Sequence, residues 1–162
     1  MQSVNKATYF KLTKHDRQRV NSLSKFVAEQ VIPINPEGFS LDVFTFKAPV
    51  FDEELLPSIY FVSVYGHEQI YPKIPTYEEI YAWLENNYEL LSIYGNFVGF
   101  WKHLGQFYLD ITNAILGRQY AFIFAQQNKQ IEIYHLASQK SIPVPMVMPC
   151  APVAPDKERK IA

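Results

Sequence analysis

The sequence predicts a single α+β domain: a mixed, mostly antiparallel sheet with about three helices. Three observations lead there. Two segments repeat apolar residues at helical spacing behind a threonine cap. Several short runs are rich in aromatic and β-branched residues. A glycine-turned hairpin after residue 92 is followed by a third helical segment and a further strand.

Thr13 opens the first helix, because its hydroxyl can accept from the backbone N–H of Asp16, whose carboxylate in turn favours a helix N-terminus. Leu12, Val20, Leu23, Phe26, Val27 and Val31 form one apolar stripe, and Pro33 and Pro36 end the element. Lys14, Arg17, Asn21 and Lys25 take the opposite face, with Arg19 at its border. Phe39–Lys47 and Ile59–Tyr65 read as strands with apolar residues in both alternation sets, so both their faces should be covered. Ala48–Ser58 reads as a loop and Tyr71–Pro75 as a stiff linker.

Thr76 caps the second helix and Glu79 completes a capping box. Tyr77, Ile80, Tyr81, Leu84, Tyr88 and Leu91 supply its core stripe. Trp83 and Leu90 fall off that stripe beside Asn87, and exposed tryptophan is enriched at binding hot spots. These three residues are the expected partner-binding patch, unless a loop such as Tyr71–Pro75 covers them.

Ile93–Trp101 and Gln106–Ile111 read as strands joined by Lys102-His103-Leu104-Gly105, where Gly105 can supply positive φ. Thr112 or Asn113 is expected to cap a third helix reaching about Gln127. That helix is apolar nearly all round, which predicts burial on more than one side, with Ala114, Ala121 and Ala125 as a close-packing strip. Gln130–Leu136 reads as a strand, Ser138–Lys140 as a turn and Ile142–Val144 as a brief pairing. The predicted domain thus spans 1–144, as an N-terminal half (1–91) and a hairpin–helix–strand unit (92–144). The proline-rich stretch 145–162 is expected to be a flexible tail that folding does not need.

The pattern Trp101…Gly105…Tyr108-Leu109-Asp110-Ile111…Ala121…Ala125…Gln130…Ile133-Tyr134…Leu136 resembles the C-terminal segment of short uncharacterised bacterial and phage proteins. Those carry a W–G–YLDV hairpin, an alanine-bearing helix and a Q-x-A-I-Y-D-L strand. The resemblance covers about 96–144, and the chain departs from it at His135 (commonly Asp) and Glu132 (commonly Ala). It implies a folded module in a mobile-element or phage setting and no particular reaction.

Composition narrows the function further. A net charge of −1 argues against a general polyanion binder. Phe and Tyr number 12 and 11, a surplus that suits both a core and a partner surface. Cys150 is the lone cysteine, which excludes an intrachain disulfide; no apolar leader opens the chain, and no run of about 18 apolar residues occurs. A cytoplasmic protein that meets no membrane is expected.

The four histidines lie on different predicted elements and Cys150 has no C-x₂-C partner, so no metal ligand set and no cofactor are predicted. Alternation places Tyr108 with Asp110, and Glu132 with Tyr134, on one face of their respective strands. Were those strands neighbours, Asp110 and Glu132 would pair for acid–base work as catalytic candidates in a small hydrolase or ligand-binding enzyme. Asp110 can equally cap the turn or helix after it. Lys14, Arg17, Arg19 and Lys25 are the only basic grouping able to meet phosphates, although an amphipathic helix shows such a face by default. The reading that results is a non-enzymatic interaction module for a protein partner or a second copy (a homodimer), ahead of a nucleic-acid-associated factor and of an enzyme.

Overall fold

The structure, a computed structural model, describes residues 11–145. Among them the chain forms three α-helices and a seven-stranded sheet, the α+β class that the sequence predicts. The sheet is not mixed: every pairing in it is antiparallel. The predicted tail falls, beyond Pro145, outside the described residues.

Helix α1 (Lys14–Phe26) begins as expected, with Thr13 and Asp16 closing a capping box, and its last turn widens into a π turn over Val27–Val31. Helix α2 (Tyr77–Leu91) carries the same device in Thr76 and Glu79. The two helices pack together through Val20, Leu23, Ile80, Leu84 and Tyr88, all buried.

The strands are β1 (Gly38–Leu41), β2 (Ile59–Ser63), β3 (Gln69–Tyr71), β4 (Asn96–His103), β5 (Gln106–Leu116), β6 (Glu132–His135) and β7 (Lys140–Pro143). Their order is β1-β4-β5-β2-β6-β7, with β3 pairing β5 further along the edge that β2 uses. Register partners share a face. Leu41, Val98 and Ile111 therefore line one side with Phe39, Phe100 and Leu109, and α1 and α2 cover them. Tyr60, Val62 and Ile133 continue the same side under helix α3 (Arg118–Gln127). All three helices thus lie on one face. Between the two apolar clusters runs a polar rung, in which Asn113 Nδ2 donates to Asn96 Oδ1 and Asn96 Nδ2 donates to the Leu90 carbonyl.

Several predicted elements change, each for a local reason. The expected strand Phe39–Lys47 stops at Leu41, because the Asp42 carboxylate accepts from the Phe44 and Thr45 N–H groups and bends the chain. Tyr71, expected in a linker, belongs to β3. The hairpin loop is the two-residue Leu104-Gly105, with φ of 48° and 78°, so β4 runs on through Lys102 and His103, although it starts at Asn96 rather than Ile93. Thr112 and Asn113 cap nothing: β5 continues through them because β2 pairs with Thr112–Leu116, and Gly117 at φ 93° makes the break before α3.

Ala114 is consequently a strand residue, whereas Ala121 and Ala125 are fully buried against the sheet as expected. The remainder of α3 contradicts its prediction, since Tyr120 (69% exposed) and Ile123 (44%) face solvent. Among the described residues only one side of that helix is covered, by strands β2, β5 and β6. Ala121→Leu should cost about 1–3 kcal/mol, because Tyr60, Val62 and Ile133 leave no room for three more carbons. Urea unfolding of the variant measures it, and an unchanged midpoint would place the alanine away from the sheet.

Candidate functional site

The helix-free face of the sheet carries the most unusual chemistry. A solvated sheet face normally alternates to polar residues. Here strand β2 directs Ile59, Phe61 and Ser63 to it, β4 directs Phe97, Gly99 and Trp101, and β5 directs Tyr108, Asp110 and Thr112. Phe51, from the connection between β1 and β2, packs on Phe61, which meets Phe97 edge-on with ring centroids 6.0 Å apart. The outward side of β2 therefore receives its cover from within the chain.

Asp110 sits at the centre of this face, on the central strand, and is 0% exposed. Its Oδ2 accepts from the Ser63 hydroxyl at 2.5 Å and from the Trp101 indole N–H at 2.8 Å, so β2 and β4 both reach across to it. Among the described residues its Oδ1 has no hydrogen-bond partner, and neither has the buried Thr112 hydroxyl two residues on. Gly99, directly opposite in register, is what makes room: a Cβ there would overlap Oδ1 and lie 2.7 Å from Thr112 Cγ2. Burial pushes the Asp110 carboxyl from its ordinary 3.8 up to about 6; the Ser63 and Trp101 donors pull it down and the Glu68 charge adds to the rise.

Above this carboxyl lies an aromatic row. Trp101 and Tyr108 are register partners and their rings stack 4.1 Å apart. Ile70 of β3, 42% exposed, is the next residue along the row, opposite Tyr108. Gly38 of β1 completes it beyond Trp101.

The predicted partner of Asp110 is elsewhere. Strand β2 separates β5 from β6, Glu132 is exposed at the register of Pro143, and the acid that acts on Asp110 is Glu68. Tyr108 is on the Asp110 face as expected, while Tyr134 pairs with Phe61 on the far side of β2. Asp110 does not cap a turn or helix, because it is a strand residue.

The expected patch of Trp83, Leu90 and Asn87 is also corrected. Trp83 is 5% exposed and donates its indole N–H to the His67 carbonyl at 2.9 Å, while Leu90 is half-buried against the main core. Asn87 accepts from His67 and donates to the Trp83 carbonyl. The turn before β3, rather than the Tyr71–Pro75 stretch, takes the Trp83 indole N–H, and Trp83 and Asn87 hold α2 to that turn while Leu90 packs on the main core.

The basic residues of α1 do not gather into one surface. Lys14 and Arg17 line a cleft of about 490 Å³ with Asn21, Tyr77 and Tyr81, but Glu78 shares it and Arg17 stands 3.9 Å from Glu85. Arg19 turns away, its guanidinium 4.9 Å over the Phe44 ring and 3.5 Å from the Tyr88 hydroxyl. Lys25 is exposed in the last turn of α1.

Of the residues that enclose Asp110, Trp101 is named in the sequence only within the hairpin pattern and Thr112 only as a cap, and Ser63 and Gly99 carry no sequence signal of their own for a site. A two-residue turn at Leu104-Gly105 would have revealed two of them, since that register sets Gly99 against Asp110 and Trp101 one step along. Among the described residues no helix is long and apolar enough to cross a membrane, and no three His, Cys, Asp or Glu side chains gather as metal ligands. Comparison with family models, curated proteins and solved structures finds no match for this chain.

Proposed function

We propose that the protein is a non-enzymatic interaction module that engages a protein partner, its own copy included, through the aromatic row on the helix-free face. The row of Ile70, Tyr108 and Trp101 carries this reading. Large apolar side chains in register across three strands, on the side of the sheet that no helix among the described residues covers, suit a flat partner surface. The sealed carboxyl beneath favours binding over catalysis, because a reacting substrate must touch its acid or base and both Asp110 oxygens are withheld from solvent. The basic face of α1 gives less support to a nucleic-acid reading, since Glu78 and Glu85 stand beside Lys14 and Arg17. The mobile-element or phage setting that the resemblance implies belongs to the same proposal.

Self-association is the first consequence to test. Sedimentation over the micromolar range should show a concentration-dependent dimer of the common two-fold kind. Ile70→Glu should abolish it, and Tyr120→Glu, at a still more exposed position on α3, should leave it intact. A wild-type monomer at high micromolar concentration would remove the homodimer. If affinity capture from the native cell were then also indifferent to Ile70→Glu, the whole reading would fall.

A further inference from the structure

On the helix side of β3 the chain builds a cleft of about 410 Å³ whose chemistry is one-sided. Its rim is the turn Gly66–Glu68, where β2 has ended and β3 has not yet begun. Its wall is a stripe of α2 that includes Glu79, Trp83, Asn86 and Asn87, and Ala82 in that stripe leaves the hollow open. Glu68 and Glu79 are the only formally charged residues in the lining, and no Lys or Arg is among them.

Gln69, Asn86 and the Tyr71 hydroxyl can donate or accept, and two further acceptor atoms stand beside the acids. Asn87 donates its Nδ2 to the Trp83 carbonyl, so the Oδ1 facing His67 accepts, and the 2.8 Å contact places the imidazole proton on Nδ1. In the neutral imidazole Nε2 then carries the lone pair, and it has no hydrogen-bond partner among the described residues. Glu79 uses Oε2 for the α2 cap and keeps Oε1. Glu68 has neither a hydrogen bond nor an ion pair among the described residues, although burial raises its pKa. Trp83 and Tyr71 contribute aromatic surface, which attracts cations.

We propose that this cleft binds an organic cation, a primary ammonium or a guanidinium, with Glu68 as its principal ion-pair partner and His67 Nε2 as a second acceptor. A bare metal ion is a poorer occupant, since no three ligating side chains converge there. Such a cation would pair with a carboxylate that has no other partner among the described residues, and would offset the upward pull of burial on its pKa. Two sources carry this chemistry: a free amine, and a lysine or arginine side chain of a polypeptide.

The test is an NMR titration that follows the Trp83 indole N–H, identified by its absence in Trp83→Phe. The probes are agmatine, a blocked tripeptide with a central arginine, and its central-glutamine counterpart. A saturating shift with agmatine assigns the site to free amines, and saturation with the arginine peptide alone assigns it to a polypeptide side chain. In either case Glu68→Gln should weaken binding about tenfold or more at an unchanged melting temperature. No saturation with either cation at low millimolar concentration, an equal response to the glutamine peptide, or undiminished binding by Glu68→Gln overturns the proposal. None of these outcomes bears on the aromatic row of the opposite face.

Discussion

Gly99→Ala is expected to be among the most damaging single substitutions in this chain, although it adds only one methyl group. The new Cβ would overlap Asp110 Oδ1 and press on Thr112 Cγ2. Strands β4 and β5 pair without interruption from Asn96 to His103, so the backbone has no slack there. The carboxyl would have to swing away, losing the Ser63 and Trp101 donors inside a buried site. Overpacking together with the loss of hydrogen bonds to a buried acid gives a cost of about 3–5 kcal/mol. Chemical denaturation measures it, and a double-mutant cycle tests the cause. With Asp110→Ala in the background the obstacle is gone, so the double variant should be at least about 1 kcal/mol better than the sum of the singles. Strict additivity would mean that Gly99 matters for some reason other than Asp110.

The second large effect is on pH dependence. Asp110 has a folded-state pKa of about 6 against an ordinary 3.8, so between those values the folded chain holds a proton that the unfolded chain has released. Stability from this group is therefore fully present below about pH 4 and is lost as pH rises through 6. The shift corresponds to about 3 kcal/mol, reached by pH 7. Asp110→Asn does not titrate, so the difference between wild type and variant should move in favour of wild type by that amount from pH 7 down to pH 4. Comparing the two chains cancels the other carboxylates, including Asp16, whose pKa the Thr13 hydrogen bonds lower and whose contribution has the opposite sign. Parallel stability curves would show that the carboxyl is ordinary. Should the variant fail to fold, the carboxyl ¹³C shift of Asp110 in the wild type reads the same titration directly.

The half-buried aromatic row and the sealed carboxyl are linked through one side chain. Trp101 stacks on Tyr108 at the surface and donates to Asp110 beneath it. A partner that moved Trp101 would remove one of the two donors to a buried acid. The row is therefore expected to act as a rigid platform, in keeping with interfaces that bind with little rearrangement.

What the sequence determined by itself is whatever depends on neighbours a few residues away. The capping boxes Thr13/Asp16 and Thr76/Glu79 occur as read, because a cap is satisfied within one turn. The core stripe of α2 and the burial of Ala121 and Ala125 were legible for the same reason. What tertiary structure alone decided depends on which strand lies beside which. The residues Thr112–Leu116 have the composition of a helix start, yet they extend β5 because β2, remote in sequence, pairs with them. Trp83 looked free on a helical projection, and the turn before β3 buries it. Asp110 is the clearest case. An aspartate ahead of Thr112 and Asn113 resembles a cap, and its burial is decided by Ser63, 47 positions away, and by the missing side chain of Gly99 across the hairpin. A period of two tells which face a residue takes, but not what the neighbouring strands place around it; only the assembled sheet supplies that.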